Sequence, residues 1–226
     1  MPNVWKNLGC AVPAGITGVA GAALGVVCLR YEPTTLVGWA GILLLVATVA
    51  AACCGHGATP LLAGSALVAV VAAVVGAVGA RYAGMSCGME LAAVAAAWTG
   101  LWAAASFALR RFHPVAGRAM VLALAMALFA SPVIAMPAVH AAGTGTRTQR
   151  RLVEAIRRGC PMFACTDALK PRYRIDWAVL PGMYAMSGLG QEVPMELPDG
   201  WTTAGMYAGG ALLAVSVGVV LRRKSV

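Results

Sequence analysis

From Pro33 to Ala80 the chain carries no Asp, Glu, Lys or Arg, and this run restricts the fold more than any other feature. An ordinary soluble domain has about 25% charged residues. Here only 11% are charged and 60% are hydrophobic, too little charge to cover a water-facing surface. The run is also too long for one membrane crossing, which takes about 20 apolar residues for roughly 30 Å of hydrocarbon. It fits two crossings that reverse at Gly55-His56-Gly57-Ala58-Thr59-Pro60, where Gly and Pro supply the break.

The same reasoning identifies six uncharged stretches: Cys10–Leu29, Thr35–Cys54, Pro60–Ala80, Leu91–Leu109, Ala119–Val139 and Thr202–Leu221. Backbone groups in lipid must be hydrogen-bonded within the segment, and these runs lack the alternation of barrel strands, so helices are the expected spanning elements. Cys10–Leu29 exceeds the 7 to 15 residues of a signal peptide's apolar core and reads as a retained span. The expected fold class is all-α: a polytopic membrane helix bundle of about six transmembrane helices, with one extramembrane loop subdomain between helices 5 and 6. That divides the chain into a five-helix region (1–140), the loop (141–201), and the sixth helix with a basic tail (202–226).

Lys and Arg near the spans set the orientation. With the N-terminus inside, the inner side holds Lys6, Arg110, Arg111, Arg118, Arg222, Arg223 and Lys224, while the short outer loops hold Arg30 and Arg81. This places both termini in the cytoplasm, in a plasma or inner membrane. The loop after His140 carries eight basic residues on the outside and pulls the other way, at a length near the roughly 60-residue limit beyond which loop charge stops counting. The net charge of +9 is accordingly read as topology signal and lipid contact, and no nucleic acid is expected as a partner.

Within the loop, Thr148 to Arg158 reads as an amphipathic helix. Leu152, Val153 and Ile156 form one face, with Arg150, Arg151, Glu154, Arg157 and Arg158 around the rest. Arg150, Arg151, Arg157 and Arg158 are the candidate contacts to lipid headgroups or to an anionic partner. Thr166 to Asp176 reads as a polar connector. The apolar piece from Trp177 to Gly190, broken by Pro181-Gly182, is too short to span and reads as re-entrant or interfacial.

Glu90 and His140 stand at span ends, and no Asp, Glu, Lys, Arg or His lies inside the six runs. Proton relays and voltage sensors need such groups in the membrane, so those mechanisms are disfavoured. The runs do contain small residues at helical spacing, including Gly15, Gly18, Gly21, Gly25, Gly205 and Gly209, which allow close helix packing. Pro132 deprives the carbonyl of Leu128 of its helical donor and predicts a kink. Trp98 and Trp102, one turn apart, share a face.

Sulfur is the one source of soft-ligand chemistry. Met85-Ser-Cys87-Gly-Met89 and Cys160-Pro-Met162-Phe-Ala-Cys165 place thiols and thioethers close together in predicted outer loops, and such ligands select Cu(I). Met85, Cys87, Met89, Cys160, Met162 and Cys165 are thus the candidate metal ligands, with copper the candidate cofactor. An oxidising outer compartment favours a disulfide, most simply Cys160 with Cys165. The competing reading is that these residues fill the core, as Cys and Met commonly do. No phosphate-binding loop, nucleophile elbow or H-E-x-x-H occurs, so no catalytic residue is assigned and the balance leans away from an enzyme. The leading expectation is an accessory or scaffolding subunit of a membrane complex, partnered by the lipid bilayer and by other membrane subunits or copies of itself. A transporter or permease for an apolar or copper-type substrate, or a membrane thiol-redox protein, is the alternative.

Overall fold

The computed structural model describes residues 33–54, 60–109, 114–143, 145–173 and 199–223. These form a bundle of helices: α1 (Pro33–Cys54), α2 (Pro60–Ala83), α3 (Met85–Leu109), α4 (Pro114–Phe129), α5 (Ser131–Ile134), α6 (Met136–Ala141), α7 (Arg147–Gly159), α8 (Pro161–Tyr173) and α9 (Gly200–Arg223). Proline opens α1, α2, α4 and α8, where its missing N–H costs nothing and its fixed φ suits the first turn. The span expected at Cys10–Leu29 and the apolar piece from Trp177 to Gly190 lie outside the described residues.

Four helices are long and apolar enough to cross a membrane, over Leu36–Cys54, Leu61–Ala83, Met85–Leu109 and Gly200–Val220. The chain is therefore a helical integral membrane protein. Two expected boundaries move. The stretch from Arg81 to Glu90 is helical except at Gly84, whose φ of +99° makes the turn alone. Met85 to Met89 accordingly form the first turns of α3, not an outer loop. The run Ala119–Val139 is not one helix: it breaks at Ala130 and at Ala135, each two residues before a proline, and continues as α4, α5 and α6.

α3 is the centre of the bundle. Gly64 of α2 meets Ala103, and Gly76 meets Ala92, so α2 runs antiparallel to α3. Gly210 of α9 meets Leu101 and Gly218 meets Phe107, so α9 runs parallel to α3 on its other side. α1 joins α2 by a short connection and reaches the middle of α3 through Thr48 and Trp98, so it too runs parallel to α3. α4 runs from the far end of the bundle back to the level of Trp98, where Phe129 packs on that indole.

The remaining space is filled from the long loop. α8, not a polar connector, occupies 161–173, and its Ala164, Cys165, Ala168 and Leu169 are buried in the same core as α1, α3 and α9. These positions recur at helical spacing and give α8 an apolar stripe. Its Met162 sits against Gly41 of α1, where a side chain would collide with the thioether.

Candidate functional site

Halfway along α3, Trp98 gathers four segments of the chain. It is fully buried, and edge-to-face rings surround it: Trp102 at 5.3 Å, Phe129 of α4 at 5.2 Å and Tyr207 of α9 at 5.1 Å between centroids. Such pairs contribute about 0.5 to 1.5 kcal/mol each beyond area burial. The indole N–H donates to Thr48 Oγ1 at 3.0 Å, and that hydroxyl donates onward to the Leu44 carbonyl at 2.8 Å. Tyr207 donates its hydroxyl proton to the backbone carbonyls of Arg158 (3.2 Å) and Gly159 (3.0 Å). The tyrosine thereby fixes the end of α7 against the bundle.

The break after α4 is finished at the same place. Pro132 cannot donate to the carbonyl of Leu128, and the Ser131 hydroxyl does so instead at 2.7 Å. Val133 N–H bonds Ala130 rather than Phe129, and the freed Phe129 carbonyl accepts from the Cys160 thiol at 3.8 Å. The backbone groups opened by proline are thus closed by side chains, as a low-dielectric interior requires. Among the described residues, Thr99 Oγ1, Trp102 Nε1 and Ser106 Oγ of α3 are buried without a hydrogen-bond partner, as is Thr203 Oγ1 of α9.

The sulfur candidates divide between surface and core, where Cys160 packs with Met162. Met85 and Met89, one turn apart, are 71% and 59% exposed, whereas Cys87 between them turns inward and is buried. Met162 is half-buried at Gly41. Cys160 and Cys165 are both buried free thiols, so the expected disulfide between them is corrected. Residues five apart along a helix hold their Cα atoms roughly 8 to 9 Å apart, beyond the ~7 Å limit for a bridge. Both are shut off from water, which disfavours the thiolate form that attacks electrophiles or binds metal. Among the described residues no group of three or more His, Cys, Asp or Glu is placed to hold a metal.

The arginine set divides. Arg150 and Arg151 are exposed, and Arg158 pairs with Glu154 one turn earlier. Arg157 is only 3% exposed, which corrects its expected place on the outer face: it follows Val153 by four residues and Ile156 by one, and the helical period carries it inward with them. Gln149 completes that stripe, its Oε1 accepting from Gly145 N–H at 2.7 Å. The junction residues Thr48, Phe129 and Tyr207 left no signal as a group in the sequence, since they lie on three different helices; only the shared face of Trp98 and Trp102 was readable.

Among the described residues, open apolar grooves flank the bundle. One, of about 680 Å³, runs between α3 and α9 and is lined by Ala93, Ala97, Gly100, Ala204, Gly205 and Ala208 among others. The other, of about 340 Å³, lies beside the kink, between Gly41 of α1, Met126 and Pro132, with Met162 at its edge. Thr48, Thr99 and Ser106 line neither. Compared with known proteins, the chain matches no family model, no curated protein and no solved structure.

Proposed function

We propose that this chain is a packing subunit, an accessory or scaffolding component of a larger membrane complex. In this reading Cys10–Leu29 is the first of six spans and both termini are cytoplasmic, in a plasma or inner membrane. The supporting observation is the groove between α3 and α9: two small-residue stripes run in register along parallel helices, and Gly205 and Gly209 at its side meet nothing within 4 Å. Small faces of this kind allow another helix to approach backbone to backbone. The interior points the same way, because its hydroxyls and indoles lie in packed core and outside both grooves.

Purification in mild detergent tests the proposal. A stoichiometric membrane partner, or a defined oligomer, is the expected result; a stable monomer that recruits nothing overturns it. A permease for an apolar substrate is the second reading, favoured by the methionine-edged groove beside the Pro132 kink. It requires solute flux in liposomes that Met126→Ala and Val133→Trp alter; a scaffolding subunit gives none.

A further inference from the structure

We infer that α7 recognises anionic phospholipid headgroups through Arg147, Arg150 and Arg151. This goes beyond the packing role, since it concerns a surface that the α3–α9 groove does not include.

α7 is held firmly on one side only. Its start is capped by Thr146, whose Oγ1 accepts from Gln149 N–H at 3.1 Å. Its apolar residues Leu152, Val153 and Ile156 pack on Ala135, Met136 and Val139 of the kinked segment, and its end is pinned by Tyr207. The charges on this helix are treated differently at its two ends. Near the pinned end, Arg158 is paired with Glu154 and Arg157 is buried. Toward the start, Arg147, Arg150 and Arg151 are exposed and, among the described residues, make no ion pair.

Depth accounts for the difference. Tyr207 lies seven residues into α9, about 10 Å of helix rise from Gly200 at the bundle end. Arg151 stands the same seven residues back from Arg158. On this proposal α7 points from Tyr207, which holds its end, toward that end of the bundle, and the paired and buried arginines lie below the headgroups. The three unpaired ones then come level with the bundle end, where headgroup phosphates lie. Val133 and Ile134 of α5, beside this hairpin, are exposed, an apolar surface that acyl chains would cover. Guanidinium groups bind phosphate through paired, charge-assisted hydrogen bonds. Three of them with no unpaired carboxylate on α7 form a surface complementary to an anionic lipid.

The test uses the full chain in nanodiscs of phosphatidylcholine containing phosphatidylglycerol, reading lipids retained on release by native mass spectrometry. The unsubstituted protein is expected to retain phosphatidylglycerol over phosphatidylcholine. Each arginine near a membrane surface contributes about fivefold, so Arg147→Gln, Arg150→Gln and Arg151→Gln together weaken this preference on the order of 100-fold. Arg118→Gln, on α4 at the opposite end, leaves it intact. For the unsubstituted chain, which needs no variant to fold, the preference falls as salt rises from about 0.05 to 0.5 M. Equal retention of the two lipids, or a preference untouched by the triple substitution, overturns the proposal. So does displacement of phosphatidylglycerol by a soluble polyglutamate peptide, which identifies the face as an acidic-protein contact.

Discussion

Gly76, Gly79 and Gly88 lie where α2 and α3 cross, whereas a Cβ on Gly205 or Gly209 of α9 would meet nothing within 4 Å. At the crossing, a Cβ on Gly88 would meet the Ala80 nitrogen at 2.5 Å and the Gly76 carbonyl oxygen at 2.6 Å. These are backbone atoms that cannot turn aside. On α9, the same residue type at equally tight spacing leaves its space empty. Small residues thus do two kinds of work in one molecule: at the first contact they let the hairpin close on itself, and at the second they keep a surface open. In hydrocarbon, where lipid tails are as apolar as side chains, only such close fits distinguish a helix partner from lipid.

Gly88→Ala tests the closed contact and carries the largest expected effect. Overpacking against backbone is expected to cost about 3 kcal/mol, read as a drop in the thermal midpoint in detergent; an unchanged midpoint would mean the two helices do not meet there. Cysteines extend the same contrast between closed and open positions. At pH 8 a maleimide should modify exposed Cys53 readily. Cys160, fully buried at the α7–α8 junction, should react far more slowly than Cys53. Mass mapping of labelled peptides checks both, and rapid labelling of Cys160 at pH 8 would show that the α7–α8 junction opens.

The open surface calls for the opposite outcome. Gly205→Leu with Gly209→Leu should leave the isolated chain at least as stable, by up to about 1 kcal/mol per position from helix propensity, while abolishing recovery of any partner that uses the groove. A fall in the chain's own stability would show that these glycines are already packed. The smallest effect belongs to the start of α9, where Asp199 accepts from the Thr202 hydroxyl at 2.9 Å and its N–H at 3.0 Å. Those bonds hold the Asp199 carboxyl below its usual range. The contribution is therefore present above the ordinary Asp pKa of about 4 and is lost as pH falls through the lower, folded value. Asp199→Ala should cost about 1 kcal/mol at neutral pH and nothing in strong acid, as a pH series of thermal melts would record.

The spans were legible because hydrocarbon thickness sets their length. The runs Thr35–Cys54, Pro60–Ala80, Leu91–Leu109 and Thr202–Leu221 fall within α1, α2, α3 and α9, short by two to six residues at an end. The second and third fall short because Arg81 and Glu90 read as loop markers, while a single Gly84 suffices for the turn. Pro132 announced its kink, and the carbonyl it frees at Leu128 is the one Ser131 satisfies. What stayed hidden is tertiary. α8 is polar enough on average to pass for a connector, and its stripe of Ala164, Cys165, Ala168 and Leu169 gains meaning only beside α1, α3 and α9. The hub at Trp98 depends on residues 48, 129 and 207 converging, which no local period records.

The parallel course of α3 and α9 fixes the parity of the whole bundle. α3 finishes at the end opposite to the one where α9 begins, so the residues between them must make an odd number of passages from one end to the other. α4 covers the first half of that traverse, and α8, docked from Met162 onward beside α1 and α3, lies along the second. With α1, α2, α3 and α9 adding four passages, Pro33 and Arg223 lie at opposite ends of the bundle. On the six-span reading proposed above, a signal or cargo attached at the N-terminus shares a compartment with one attached after Arg223 only when the chain ahead of Pro33 adds an odd number of passages.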